Sequence, residues 1–154
     1  MSELPGRILG LDLGDARIGL ALSDPLGITA QPVGKIDSRG PTADLRRIRA
    51  IIAEHQAVEV VVGLPLHLSG ESGPRAEQAR EFARRLAASV PAVTVELWDE
   101  RLTTAEAERA MISGNVRRRR RREVIDTLSA VLILQSYLDA RSMGGTSLRR
   151  EPHD

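Results

Sequence analysis

The feature that most constrains this chain is an acid where a strand would not choose one: Asp12, inside Arg7-Ile8-Leu9-Gly10-Leu11-Asp12-Leu13-Gly14. The run is too short for a helix, and its alternation puts Leu9, Leu11 and Leu13 on one face of a strand and Gly10, Asp12 and Gly14 on the other. The carboxylate therefore stands in a gap left by two missing side chains. Burying an ionised carboxylate is costly without a cation, a positive partner or hydrogen bonds, and the flanking glycines give something bulky room to approach. A metal-bound phosphate suits both conditions. The same spacing also suits an acid that ends the strand and caps the turn Gly14-Asp15-Ala16-Arg17.

A chain of 154 residues is expected to form one domain, over residues 1–141, with a single buried core. The stretch 142–154, with Gly144-Gly145 and Pro152, has little to bury and is expected to be a disordered tail. The absence of Cys excludes a disulfide framework and thiolate metal sites. No signal-peptide pattern opens the sequence and no apolar run reaches the roughly 18 residues of a membrane span, so the expectation is a soluble, cytoplasmic protein without membrane contact. The net charge of +1 hides a local field, because six of the 22 basic residues are consecutive, Arg117 to Arg122.

The hydrophobic pattern predicts strands first and then an alternation. Residues 7–13, 17–23 and 28–36 read as an antiparallel meander with turns at Gly14-Asp15 and Pro25-Leu26-Gly27. Residues 42–55 carry Leu45, Ile48, Ile51 and Ile52 at helical spacing and lead into Val58-Glu59-Val60-Val61-Val62-Gly63-Leu64, whose near-continuous apolar character marks a buried parallel strand. A second unit repeats this, with a helix over 73–89 (Ala76, Ala79, Phe82, Ala83, Leu86 and Ala87 on one stripe) and a strand over 92–98. Thr103 and Glu106 have capping-box spacing for a helix to about Ile112, and a long helix is predicted over 123–140. A five-stranded mixed α/β sheet, three antiparallel strands followed by parallel ones, with helices on both faces accommodates all of this.

That order gives three further acids a meaning. Asp99 and Glu100 end the fifth strand, at the same sheet edge as Asp12 if the fifth strand is parallel to the first. Alternation sends Glu100 with Trp98 and Glu96, and Asp99 with Val93, Val95 and Leu97, so only one can face the site. Asp126 lies early in the last helix, on a stripe with Ser129, Ala130, Ile133 and Tyr137. A solvated strand end paired with Arg101 would explain Glu100 equally well, and a helix-dipole acid would explain Asp126. Three carboxylates converging from two strands and a helix can also hold two divalent cations about 3.5–4 Å apart. An oxygen-only donor set favours Mg²⁺ or Mn²⁺. His67 is a candidate ligand or base, and equally an exposed loop residue.

Four stretches in this order, Gly10-Leu-Asp-Leu-Gly14 with Arg17-Ile-Gly-Leu-Ala21 and Ser23-Asp24, then Val62-Gly-Leu-Pro-Leu66 with Gly70 and Gly73, then Asp99-Glu-Arg-Leu-Thr-Thr104, then Ile125-Asp126 running into Ala130-Val-Leu-Ile-Leu-Gln135 and Tyr137-Leu-Asp139, resemble the bacterial YqgF family. This is the pre-16S rRNA nuclease family, also called Holliday-junction-resolvase-like, with a ribonuclease H-like fold. The resemblance covers about residues 6–140. It implies a metal-dependent endonuclease in 5′-end maturation of 16S rRNA, with cutting of branched DNA as the other role. Position by position, it implies that Asp12, Glu100 and Asp126 are catalytic and bind the metal, with Asp99 in reserve for the second place. The sequence departs from the family at His67 and Ser69, where an Asn and then an Asp or Asn are usual. That weakens the loop as a ligand donor while leaving its amides, and the start of the following helix, available to phosphate.

The basic residues expected to meet nucleic acid are Arg17, Arg75, Arg101 and the run Arg117, Arg118, Arg119, Arg120, Arg121 and Arg122. In the run, Arg replaces the family's mixture of Lys and Arg, which retains charge and adds bidentate phosphate contacts. A solvated charge block is the plainer explanation for such a run. One Phe, one Trp and one Tyr cannot build a stacking platform, so recognition is expected to rest on backbone and shape, in structured RNA or branched DNA. Two other classes stay open. A Gly-x-Asp-x-Gly turn also occurs in actin-like and sugar-kinase ATPases, whose folds need two such domains, and a catalytically silent ribosome-assembly factor would keep the same acids for structure. The helix over 123–140 is apolar on much of its surface, which suits a monomer or a homodimer.

Overall fold

In the computed structural model, residues 6–103 and 118–144 are described, with side chains in the last helix described over 127–142. Strand β1 (Arg7–Leu13) turns back through Gly14 into β2 (Arg17–Ser23), and β3 (Ala30–Asp37) completes an antiparallel meander. Gly14 is required by close approach: its N–H donates to the Arg17 carbonyl at 2.8 Å, and a Cβ there would lie 2.7 Å from that oxygen. Helix α1 (Pro41–His55), β4 (Ala57–Leu64), α2 (Pro74–Ser89) and β5 (Thr94–Asp99) follow, and a short 3-10 turn, Glu100–Leu102, closes the sheet region. The sheet order is β3-β2-β1-β4-β5, with β4 parallel to both β1 and β5. The five-stranded mixed sheet of the sequence analysis is therefore present, with β1 at its centre.

The two faces of the sheet bury different things. Leu9, Leu11, Val60 and Val62 point to the side covered by α1 and α2, where Leu45, Ile48, Ile52, Ala76, Phe82 and Leu86 meet them. The expected stripe of α2 holds except at Ala87, which is exposed because it falls one position past the seam. Ile8 and Val61 point to the other side, against Ala130, Val131, Ile133, Leu134, Tyr137 and Leu138 of the last helix, α3 (Arg118–Gly144). Gly10 lets α3 lie close, since a Cβ there would sit 2.9 Å from the Leu134 Cβ and 3.3 Å from the Ala130 carbonyl oxygen. This corrects one expectation about the glycines beside Asp12. Gly10 is filled by a helix and Gly14 by its own turn, so neither leaves a space for a ligand.

α3 runs antiparallel to β4: Ile133 packs at Gly63 near the end of the strand, and Tyr137 meets Glu59 near its beginning. Its early turns are thus carried toward the edge where β1, β4 and β5 end. The helix begins five residues before the expected 123 and continues to Gly144, beyond the expected boundary at 141. Arg118 to Arg122 consequently belong to α3 rather than to a segment preceding it. The expected helix from Thr103 to Ile112 falls on 104–112, outside the described residues, as do Arg117 and the tail from 145 onward. Among the described residues no helix is long and apolar enough to cross a membrane.

Candidate active site

Asp12 is the sixth residue of β1, paired with Gly19 of β2, and it projects on the α3 side with Ile8 and Gly10. Its carboxylate is half-buried and has no hydrogen-bond or ion-pair partner among the described residues. Burial raises its pKa above the ordinary value, and the Arg75 guanidinium pulls the other way without cancelling the effect.

Glu100 reaches the same place from the end of β5. Leu64 pairs with Asp99 in the β4–β5 ladder, so Glu100 is the first residue past the sheet, on the side of Trp98. Its carboxylate lies over Gly63, where a Cβ would come 2.7 Å from Oε2 and 2.5 Å from the Ile133 Cδ1. A glycine in an otherwise branched strand marks such a close approach, and Val61-Val62-Gly63 carries that signal in the sequence. The backbone of Glu100 is fixed twice. Its carbonyl accepts from the Thr103 hydroxyl at 2.9 Å. Next to it, the Trp98 Nε1–H donates to Ser136 Oγ and the Ser136 hydroxyl donates to the Leu102 carbonyl, both at 3.1 Å, tying the turn to α3.

Burial, the Asp12 charge and, more weakly, Asp99 push the Glu100 carboxyl up to about 7, with Arg75 opposing them. Two half-buried carboxylates that feel each other through a poorly solvated gap are an unfavourable arrangement for folding alone. Arg75, in the first turn of α2, is the cation that both acids feel, and its Nη2–H reaches the Leu13 carbonyl at 3.4 Å. Gly73 caps the same helix with no side-chain hydrogen bond to its first amides, so a guanidinium and a helix N-terminus sit together at this edge.

Asp99 is engaged elsewhere. It accepts from the Arg101 backbone N–H at 2.9 Å and from that residue's Nε and Nη2, the latter at 2.7 Å, which holds its pKa below the ordinary range. Alternation therefore separates the two neighbours as expected, with Glu100 placed beside Asp12 and Asp99 paired to Arg101. Arg101 also donates through Nη1 to the Leu68 carbonyl at 3.4 Å, bracing the loop between β4 and α2. In that loop His67 is exposed and its ring packs on Gly73, where a Cβ would meet Nε2 at 2.6 Å. Arg17 is exposed at the start of β2, beside the Gly14 turn. Asp126 belongs to α3, four residues before the Ala130 carbonyl that passes Gly10; its side chain, with those of Arg118 to Arg122, lies outside the described ones. Among the described residues no group of three metal-ligating side chains forms. Asp12 and Glu100 are a pair.

Comparison with known proteins adds identity to this geometry. The family model described as "RuvX: Holliday junction resolvase" matches residues 6–140. A protein of Pelotomaculum thermopropionicum named "Putative pre-16S rRNA nuclease" is 52% identical over 136 residues, covering 88% of this chain and 88% of its own. One of Myxococcus xanthus with the same name is 47% identical over 148 residues, 96% of this chain and 97% of its own. Among solved structures, Thermus thermophilus RuvC in complex with a Holliday junction substrate aligns with a TM-score of 0.60 at 16% identity, over 91% of this chain and 97% of that one. The fowlpox virus resolvase bound to junction DNA aligns at 0.58 and 10% identity, over 87% of this chain and 97% of that one. Those two share the fold, which is ribonuclease H-like. With the family model spanning nearly all of the described residues and relatives close to half identical over most of their length, the chain belongs to the RuvX family, the same family its motifs resemble under the name YqgF.

Proposed function

We propose that this chain is a divalent-metal-dependent endonuclease that hydrolyses phosphodiester bonds in structured RNA, acting in the cytoplasm in 5′-end processing of pre-16S rRNA. The observation that carries the reading is the pair Asp12 and Glu100: two half-buried acids whose carboxylates have no hydrogen-bond partner among the described residues and feel each other's charge, one in the central strand β1 and one just past the end of β5. The donor set fits Mg²⁺ or Mn²⁺. It is all oxygen, and it carries a charge repulsion that Arg75 offsets in part and that a divalent cation would relieve. Asp12, Glu100 and, from α3, Asp126 are the residues that would hold the metal. A bound pair of such ions supplies an activated water and steadies the leaving oxygen.

The chain's own residues do the rest. Arg75 and the uncapped first turn of α2 hold a substrate phosphate against the acids. The ion pair of Asp99 with Arg101 fixes the turn that aims Glu100, and the Arg101 Nη1 holds the loop between β4 and α2. Arg17 and Arg118 to Arg122, together with Arg117, would follow the sugar-phosphate backbone on either side, in a monomer or a homodimer.

The test is cleavage of a 16S precursor 5′ leader and of a four-way DNA junction side by side, with Mg²⁺ or Mn²⁺ and then with chelator, using the wild type and Asp12→Asn. The junction is included because the matching family is described as a Holliday junction resolvase. Metal-dependent cutting of the leader, lost in the variant, is the expected result. Cutting of the junction alone would replace the RNA assignment. Salt-sensitive binding without cutting of either would make this a binding factor.

A further inference from the structure

A second basic surface lies away from the acids, on the opposite face of the sheet. Between α1 and α2 runs a groove of about 450 Å³ lined by Arg46 and Arg49 from α1, Arg84 and Arg85 from α2, and the hydroxyl residues Thr42 and Ser89, with no acid in its lining. Exposed arginines elsewhere on these two helices find partners: Arg47 donates to the Asp37 carbonyl at 3.2 Å and Arg80 to Ser72 Oγ at 3.1 Å. In the groove, Arg84 alone is paired, to Glu81 at 2.5 Å. Arg46, Arg49 and Arg85 have no hydrogen-bond or ion-pair partner among the described residues, and Arg85 feels Glu81 only at longer range. Clustered guanidinium groups that are not neutralised disfavour the fold they sit on, so the arrangement is suited to an anion supplied from outside.

The neighbouring groove makes the charge pattern directional. It is of similar size, about 480 Å³, and is lined by Asp15, Asp44, Glu77 and Glu81 over an apolar floor that includes Leu13 and Phe82. Arg85 lines both grooves. An anionic strand is therefore attracted along one channel and turned away from the other. The four arginines extend over two helices in a groove with room for more than one phosphate, which suits a repeating polyanion better than a single small anion. α2 joins this surface to the acids. Arg75 at its start lies beside Asp12, and Arg85, ten residues on, lies about 15 Å along the same helix.

We infer that the α1–α2 groove is a second phosphate-backbone site, which anchors a double-stranded arm of the RNA substrate remote from the bond that is cut. The inference rests on the nuclease reading, and its test separates the two. Arg46→Gln/Arg49→Gln/Arg85→Gln keeps the side-chain stems and removes three charges outside the catalytic edge, and thermal melting verifies its fold. Binding by fluorescence anisotropy is compared, as a function of salt, for the full chain with a labelled stem-bearing RNA and with the same RNA lacking its duplex arm. The triple variant is expected to bind the long RNA about 10- to 100-fold more weakly, with the salt slope reduced by about 2 to 3, while the short RNA is bound as by the wild type. Equal affinity and slope for the long RNA in both proteins would overturn the site, and an equal loss on both RNAs would overturn its role as a remote anchor. Because the readout is binding, absence of cleavage by the wild type would remove the nuclease reading without deciding this one.

Discussion

Two glutamates stand on the same face of the sheet at opposite ends of β4, both against α3, and the fold treats them differently. Glu59, near the start of β4, is buried and fully partnered: the Tyr137 hydroxyl donates to Oε2 in a short hydrogen bond, and Arg141 donates to Oε1 at 3.1 Å. Arg141 also stacks over the Tyr137 ring, 5.5 Å from its centroid, and Tyr137 meets Trp98 edge-on at 5.3 Å. Glu100, at the far end, is half-buried against Gly63 and Ile133, its carboxylate has no hydrogen-bond partner among the described residues, and it is pushed up to about 7 in part by another acid. A structural acid is given its donors by the chain. An acid whose carboxylate meets a like charge, with only Arg75 opposing it, is a candidate functional group.

The sharpest way to break the contrast is to neutralise each in turn. Glu100→Gln is expected to lower cleavage by about 10³-fold, roughly 4 kcal/mol of transition-state stabilisation, while leaving stability unchanged or raised, because a repelled charge is removed. Glu59→Gln should do the reverse. It leaves Arg141 and Tyr137 with a weaker acceptor, costing about 1–3 kcal/mol in denaturant unfolding with kcat within a few-fold of wild type. If Glu59→Gln abolished cleavage in a folded protein, or Glu100→Gln left it intact, the division between the two ends would be wrong.

Gly63→Ala is the next effect in size and reports on the shape of the site. The added methyl would meet both Ile133 Cδ1 and the Glu100 carboxylate, so overpacking of about 1–3 kcal/mol is expected together with reduced cleavage. Adding Ile133→Val removes the first of these contacts. The double variant should recover stability measured by urea unfolding and stay impaired in kcat. Recovery of both would mean that Gly63 serves only helix packing, as Gly10 does against Leu134.

These glycines also show where the sequence could be read and where it could not. Alternation along β1 and β5 is local, and it placed Leu9 and Leu11 opposite Asp12, and Glu100 opposite Asp99, because a strand has only two faces. The filling of a glycine gap is not local. Gly10 and Gly63 look alike in sequence, yet one receives only α3, at Leu134 and Ala130, and the other receives Ile133 of α3 together with the Glu100 carboxylate from the turn after β5, and only the tertiary packing distinguishes them. Arg75 was expected to meet nucleic acid but not to lie by two acids, and the gathering of Arg46, Arg49 and Arg85 was hidden altogether, for the same reason: these are helix-surface arginines whose neighbours appear only when two helices are laid on a sheet. The start of α3 at Arg118 shows a different limit. A run of like charges reads as a solvated block before the helix, whereas here it belongs to a helix whose buried contacts run from Leu128 onward.

The smallest expected effect is on stability alone, and its sign follows from the raised acids. In the unfolded chain Glu100 ionises near 4.5, and in the folded one it holds its proton to about 7. Between those values the folded state binds the extra proton, so raising the pH across that window must lower stability. Asp12, also raised, acts in the same direction from 3.8 upward. Asp99 and Asp24 are shifted downward from 3.8, so their contributions are lost as pH falls below that value and leave the window clear. The melting temperature in chelator should therefore decline from about pH 5 to about pH 7.5, and Glu100→Gln should flatten the decline. Mn²⁺ should reverse it in the wild type, because a cation that binds the ionised acids stabilises the state that high pH creates.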